Sequence, residues 1–217
     1  VIKGTSLTSL AFPARSLTFD GKTFENVSTL ETVTFADSTN ELVLNESVFK
    51  GTAVSSLNFG NRLITFKKAA LNKLATLTSV IFGENAIIKQ AEDEAFTGTS
   101  LTTVQIPAVE NVSKFGNGVF GGISTLESFT LAENNTVHEV VDGVLYLKDG
   151  ENLILIQVPA GKFDAQDTFV LPDNVVTIKT YAFEGVTVDT VYTSADSILA
   201  TLEKDCFGYY VATLSCN

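Results

Sequence analysis

Few side chains in this sequence could carry chemistry. His138 is the only imidazole in 217 residues, and the two thiols, Cys206 and Cys216, stand near the C-terminal end. Nucleophilic catalysis by serine or cysteine needs a base beside the nucleophile and a third group to orient that base. One histidine in a stretch without periodicity does not supply the set, and it reads as a lone polar loop residue. Zinc takes three or four His, Cys or carboxylate ligands, and neither a His pair nor a Cys cluster is present. Glu92-Asp93-Glu94 sets three carboxylates in a row. Calcium, however, takes roughly six to eight oxygens, and consecutive residues of an extended chain point different ways. Gly116, Gly118, Gly121 and Gly122 suit tight turns with positive φ; no strand-to-helix context makes them a phosphate loop. Lys67, Lys68 and Lys73 form the densest basic cluster and read as a solvated turn. Glycoside hydrolysis would need two carboxylates facing each other in space, and nothing in the order of the 25 acidic residues singles out a pair. The sequence offers no catalytic, metal-ligating or cofactor-binding pattern and points away from an enzyme.

Composition narrows the partners. Charged residues make up 18%, below the roughly 25% of soluble chains, whereas 43 residues are serine or threonine, so the surface is largely hydroxylated. A net charge of -11 argues against nucleic acid, which is gripped by clustered lysine and arginine. No run approaches the roughly 18 apolar residues of a membrane span, so direct insertion into a bilayer is not expected.

The elements that must position these residues come from a repeat. Leu101-x-x-Val104-x-Ile106 recurs as Leu7-x-x-Leu10-x-Phe12, Leu30-x-x-Val33-x-Phe35, Val54-x-x-Leu57-x-Phe59, Leu77-x-x-Val80-x-Phe82 and Leu126-x-x-Phe129-x-Leu131, at intervals of 23 to 25 residues. A second anchor, a small residue followed by Phe, precedes most units: Thr23-Phe24, Val48-Phe49, Ala95-Phe96, Val119-Phe120, Ala182-Phe183 and Cys206-Phe207, with Ala70-Leu71 as the exception. Two anchors in constant phase predict a leucine-rich repeat solenoid, read here as one domain over residues 1–217, right-handed, with short parallel strands in one curved sheet. Gly4-Thr5-Ser6-Leu7 enters in mid-pattern and Asn217 follows the last strand directly, so a fragment of a longer protein is expected.

The period breaks once. From Phe129 to its next equivalent, Val191, there are 62 residues, and residues 137–173 form a modified unit. Within it, two β-rich runs, Val144 to Lys148 and Glu151 to Leu155, flank Asp149-Gly150. That pattern predicts a hairpin with a type I′ turn and sets Lys148 opposite Glu151. Cys206 and Cys216 both fall at core positions of the last unit, where two buried thiols and a Cys206–Cys216 disulfide both fit; a bridge would add about 3 kcal/mol.

Alternation along each strand leaves an outward face made of Thr32 and Thr34, Ser56 and Asn58, Ser79 and Ile81, Thr103 and Gln105, Ser128 and Thr130, and Thr190 and Tyr192, with Ser9, Ala11, Thr213 and Ser215 at its ends. None is charged. Stacked at about 4.8 Å per strand, they form two neutral rows, the candidate binding face, with Tyr192 as its aromatic anchor. Thr and Ser also suit exposed β positions for their own sake.

Val175-x-x-Ile178-x-x-x-Ala182-Phe183, strands that end as Ile106-Pro107 does, and the variant unit Asp142-Gly143-Val144-Leu145-Tyr146 followed by Val158-Pro159 and Leu171-Pro172 together resemble the BspA-type leucine-rich repeats of microbial surface proteins. The resemblance implies a non-enzymatic protein without cofactor, on the cell surface or secreted. Such a protein adheres to host extracellular-matrix proteins or to neighbouring cells, and its signal and anchor lie outside this fragment. A carbohydrate-binding module and a structural spacer are the alternatives.

Overall fold

The computed structural model describes residues 6–208 and 211–216, the side chains of residues 212 and 216 excepted. It is a β-solenoid. Each unit begins with an apolar residue, turns, and enters a short strand that stacks in parallel on the strand before it. These are β1 (Ser9–Phe12), β3 (Thr32–Phe35), β5 (Ser56–Asn58), β7 (Ser79–Ile81), β9 (Thr103–Ile106) and β11 (Ser128–Leu131), hydrogen-bonded as β1-β3-β5-β7 and as β9-β11, with the pairing interrupted between β7 and β9. Register keeps like positions together: Leu10 pairs with Val33, Val33 with Leu57, Leu57 with Val80 and Val104 with Phe129. Alternation buries that set and leaves its neighbours outside.

One sheet was expected, and the structure has two ladders. The second is built from β2 (Leu17–Phe19), β4 (Glu41–Leu44), β6 (Leu63–Phe66), β8 (Ile87–Ala91) and β10 (Ala108–Val109), again parallel. Its physical cause is the same alternation: Leu42 and Leu44, or Ile64 and Phe66, face the interior and are fully buried. A strand buried on one face needs a partner layer, and the two ladders supply it to each other. A 3-10 turn, Val112–Lys114, follows β10.

The Phe anchors sit on a third side, in stacked turns that hydrogen-bond from unit to unit: Phe24 N–H to Val48 O (2.9 Å), Leu71 N–H to Ala95 O (2.7 Å) and Phe96 N–H to Val119 O (2.9 Å). Every turn flanks its anchor with two residues in the left-handed region, as Ser47 and Gly51 do around Phe49 and Glu94 and Gly98 do around Phe96. Rings stack along the core, with Phe24 against Phe49 at 5.4 Å and Phe96 against Phe120 at 4.8 Å. Where Leu71 lacks the ring, Phe66 on β6 fills the gap and meets Phe96 at 4.8 Å. The residue before the first apolar position of a unit staples it to its predecessor. Thr29 donates to Leu7 O, Thr76 to Val54 O, Ser100 to Ala75 O and Thr125 to Leu101 O, all at 2.7 to 2.8 Å. Part of the hydroxyl richness is therefore internal mortar rather than surface.

The modified unit is an antiparallel meander, β12 (His138–Val141), β13 (Val144–Asp149) and β14 (Asn152–Gln157), which joins the second ladder when β14 pairs in parallel with β16 (Val175–Ile178). The hairpin is present, shifted by one residue. Asp149 pairs with Asn152 and Lys148 with Leu153, not with Glu151. The turn is Gly150-Glu151 with positive φ at Gly150 alone, which fits a type II′ turn with glycine at the first centre position. The solenoid then resumes with β15 (Thr168–Val170), β17 (Val188–Thr193) and β19 (Val211–Cys216) in the first ladder and β18 (Thr201–Leu202) in the second.

β13 divides the interior. Leu145 packs into the core that runs from Phe19 to Phe129, whereas Val144 and Tyr146, pointing the other way, belong to a second core with Phe169, Phe183 and Val191. On the turn side no extra unit exists. Gly122 N–H bonds directly to Glu184 O at 2.9 Å, and a Cβ on Gly185 would lie 2.8 Å from Gly122 Cα. The extra rungs thus occupy two sides of the solenoid and are missing from the third. Gly118 and Gly122 do have positive φ, but Gly116 and Gly121 do not; there a Cβ would press on Asp93 and on Glu184, so close approach is what requires glycine.

Candidate binding face

The twelve residues singled out on the first ladder all lie on the strands that the repeat predicted, and parallel register sets them side by side. Thr34 pairs with Asn58, Ser56 with Ser79, Asn58 with Ile81, Thr103 with Ser128, Gln105 with Thr130, and Thr190 and Tyr192 with Thr213 and Ser215. Thr32, Thr34, Ser56, Asn58, Ile81, Thr103, Gln105 and Thr130 are exposed, while Ser79, Ser128, Thr190 and Tyr192 are half-buried. Few of their polar groups are spent on each other. Thr103 and Ser128 hydroxyls stand 3.4 Å apart, but Thr34 donates to Leu10 O at 3.4 Å, Asn58 Oδ1 accepts the Gly60 N–H at 3.0 Å, and Thr190 donates to Asp189 Oδ2 at 2.9 Å.

The structure adds two members and one interruption. Thr168 pairs with Thr190 and Val170 with Tyr192, and Val170 is 62% exposed, the most open large apolar side chain among the described residues. A signal for this rung exists in the sequence: Phe169-Val170-Leu171-Pro172 repeats the form of Val104-Gln105-Ile106-Pro107. Between β11 and β15 the face is broken by Asp142-Gly143. Gly143 O accepts from Phe129 N–H at 2.8 Å, a Cβ there would press on Ser128, and the exposed Asp142 pairs with Lys162 at 3.3 Å. The neutral face therefore consists of two fields with one ion pair at the join.

The remaining candidates fall elsewhere. His138 is no loop residue: it opens β12, is 1% exposed, and lies 5.5 Å from the Phe115 ring. Burial, with a smaller effect from Lys148, lowers its pKa to about 4, so it is a neutral core group. Cys206 is buried with a free thiol, which burial pushes up; the other half of the expected bridge, the side chain of Cys216, lies outside the described residues. Glu92, Asp93 and Glu94 diverge. Glu92 bonds Lys67 at 2.9 Å, Asp93 Oδ1 accepts the Asn117 N–H at 2.8 Å, and Glu94 lines an open groove of about 1100 Å³ along the turns. Burial opposes ionisation of Glu92, but the Lys67 and Lys68 hydrogen bonds and the Lys67 charge outweigh it and hold the carboxyl below its usual range. Lys67, Lys68 and Lys73 line the same groove beside Glu46 and Glu94, so it is mixed in sign.

With two parallel ladders, a Phe-anchored turn column and this face in place, the family pattern described as BspA type leucine rich repeat region matches six copies over residues 2–127 and 162–215. The chain belongs to the BspA-type leucine-rich repeat family. The 34 residues between the two matched stretches, 128–161, hold β11 and the meander, the part where the repeat is rebuilt. No curated protein sequence matches the chain. Among solved structures, it is similar to a leucine rich cell surface protein of Faecalibacterium prausnitzii A2-165, with 20% identity and a TM-score of 0.59 over 90% of this chain and 56% of that one. It is also similar to the pneumococcal vaccine antigen PcpA, with 19% identity and a TM-score of 0.67 over 86% and 45%. A leucine-rich repeat protein of Eubacterium ventriosum ATCC 27560 gives 18%, 0.50, 88% and 55%. The chain spans about half the length of these proteins, and at such identities they show the fold.

Proposed function

We propose that this BspA-type repeat is a non-catalytic protein-binding module of a cell-surface or secreted protein, and that it adheres to a host matrix or neighbouring-cell protein through the outward face of the first ladder. The observation that carries the reading is the face itself: rows of uncharged hydroxyls and amides, of which Thr32, Ser56, Ser79, Gln105 and Thr130 make no side-chain hydrogen bond among the described residues, with Ile81 in one field and the Val170–Tyr192 pair in the other as apolar anchors. Interfaces draw most of their affinity from a few such anchors inside a polar surround. The names of two structural neighbours, a cell surface protein and a vaccine antigen, fit an exposed location.

The test is saturable binding of the purified chain to an array of extracellular-matrix proteins and glycans at low and high salt. A protein ligand should be retained at high salt, and Tyr192→Ala with Val170→Ser should weaken it by about thirtyfold, the effect of losing a hot spot of about 2 kcal/mol. A glycan ligand in its place would make the chain a carbohydrate-binding module. Silence across the array from the folded chain would leave a spacer.

A further inference from the structure

A cleft of about 610 Å³ opens at one end of the face, lined by Phe82, Glu84, Asn85, Gln105, Glu133 and Asn134 among others. Its origin is a loop-length difference. Five residues (82–86) connect β7 to β8 and six (132–137) connect β11 to β12, whereas Pro107 alone connects β9 to β10. The middle loop is recessed between two tall ones. Asn134 ties the walls together: Nδ2 donates to Ala86 O and Oδ1 accepts from the Ala108 N–H, both at 3.1 Å. The gap is thus braced from below.

Glu84 stands on one wall and Glu133 on the other, both exposed, and neither forms an ion pair among the described residues. No lysine or arginine lines the cleft. The Gln105 and Asn85 side-chain amides are likewise unspent, and Gln105 belongs at once to the cleft and to the neutral face. The walls stand at the ends of β7 and β11 with the end of β9 between them. A guanidinium presents a planar fork of donors that suits carboxylate and amide oxygens on either side of it.

We infer that this cleft is a specificity pocket for an arginine side chain of the protein docked on the neutral face. The partner's backbone and small side chains lie along the hydroxyl rows, and one basic residue enters past Gln105 between Glu84 and Glu133. This names a partner chemistry for the proposed function and rests on that reading for the arginine's source. The two fail separately, because the pocket is tested with a free probe.

The probe is N-acetyl-arginine-amide, titrated at millimolar concentration into the ¹⁵N-labelled chain, with the uncharged isostere N-acetyl-citrulline-amide in parallel. Saturable shifts at the Asn85, Gln105 and Asn134 amides with the arginine probe, absent with citrulline, are expected. Glu84→Gln with Glu133→Gln should weaken them at least tenfold while the spectrum elsewhere stays unchanged. No saturable shift, an equal response to citrulline, or an unaltered response in the double variant overturns the proposal. So does a saturable response to N-acetylglucosamine at these amides without one to arginine, which would give the cleft to a glycan. If the arginine titration succeeds and the protein array is silent, the docking reading falls and the pocket stands.

Discussion

The run of units up to β11 and the rebuilt unit after it solve the same packing problem differently. In the regular run units stack chiefly on their immediate neighbours, a few long side chains such as Arg62, Lys89 and Asn134 reaching two units away, and continuity comes from a column of rings and from turns bonded one to the next. In the rebuilt unit the ring column stops at Phe129, and a strand buried on both faces takes its place, Leu145 filling the end of one core and Val144 with Tyr146 the start of another. A strand so placed must be apolar on both sides, as Val144-Leu145-Tyr146-Leu147 is. An insertion in a solenoid is therefore tolerated when it brings its own two-faced partition.

The largest energies lie at the partition. Tyr146→Ala should cost about 3–5 kcal/mol and Leu145→Ala about 2–5 kcal/mol, and hydrogen exchange should separate them. Leu145→Ala should speed exchange chiefly in β9 and β11, Tyr146→Ala chiefly in β16 and β17. Equal acceleration on both sides from either variant would show a single cooperative core.

The regular run has a device of its own at its first end. Arg62 is fully buried, its guanidinium donating to Arg15 O at 2.9 Å, Pro13 O at 3.0 Å and Ala36 O at 2.9 Å and lying 5.9 Å from the Phe35 ring centre. One side chain thereby fastens the loops of the two preceding units. Arg62→Met fills the space but strands three carbonyls, at a cost of about 3 kcal/mol. The expected result is local, with faster exchange and easier proteolysis around β1 and β2 and an unchanged second core. An unaltered first unit would mean that the ring column alone holds it.

How much of this was legible in sequence follows from how local each determinant is. The strands of the first ladder and their inward residues could be read directly, because two anchors in fixed phase mark each unit. The second ladder was hidden in segments such as Leu17-Thr18-Phe19, only three residues long and outside the two anchors that mark each unit. The site's neutral rows were readable from alternation alone, but Val170 was not placed on them, since its rung comes 22 residues before β17 by way of a broken period. His138 misled because polarity suggests exposure, whereas Asn135 and Phe115 enclose it only once the meander folds. The arginine cleft depends on comparing three connections, Pro107 against its longer neighbours, and no single stretch announces it.

Acid distinguishes the two regions next. The unfolded chain takes up a proton on His138 near pH 6.5, the folded chain only near pH 4. Stability from this residue is therefore full above pH 6.5, declines as the pH falls through the interval, and levels off below 4, by up to about 3 kcal/mol in all. Glu92 and Glu203, whose carboxyls are held low by lysine partners against the opposing effect of burial, add their losses only below about pH 4.5. Denaturant titrations between pH 6.5 and 5 therefore isolate His138. His138→Phe, set against Phe115, should flatten the slope there, and a slope that survives the substitution would place the acid sensitivity outside the rebuilt unit.

The smallest effect concerns the turn column, where the regular run departs from its own rule. The second left-handed position is glycine at Gly51, Gly98, Gly122 and Gly185 and asparagine, which tolerates this conformation, at Asn26, but lysine at Lys73, with φ of 59°. A side chain in that conformation costs about 1–2 kcal/mol, while glycine gives back part of the gain through the greater freedom of the unfolded chain. The hydrogen bond made there, Lys73 N–H to Thr97 O at 2.9 Å, is a backbone one and survives substitution. Lys73→Gly should thus stabilise the chain by about 0.5–1 kcal/mol in chemical denaturation, even though it removes a side chain and a charge from the groove. A destabilised Lys73→Gly would mean that the lysine stem contributes packing that outweighs its backbone strain. The turns would then be held by side-chain cover as well as by the glycine rule.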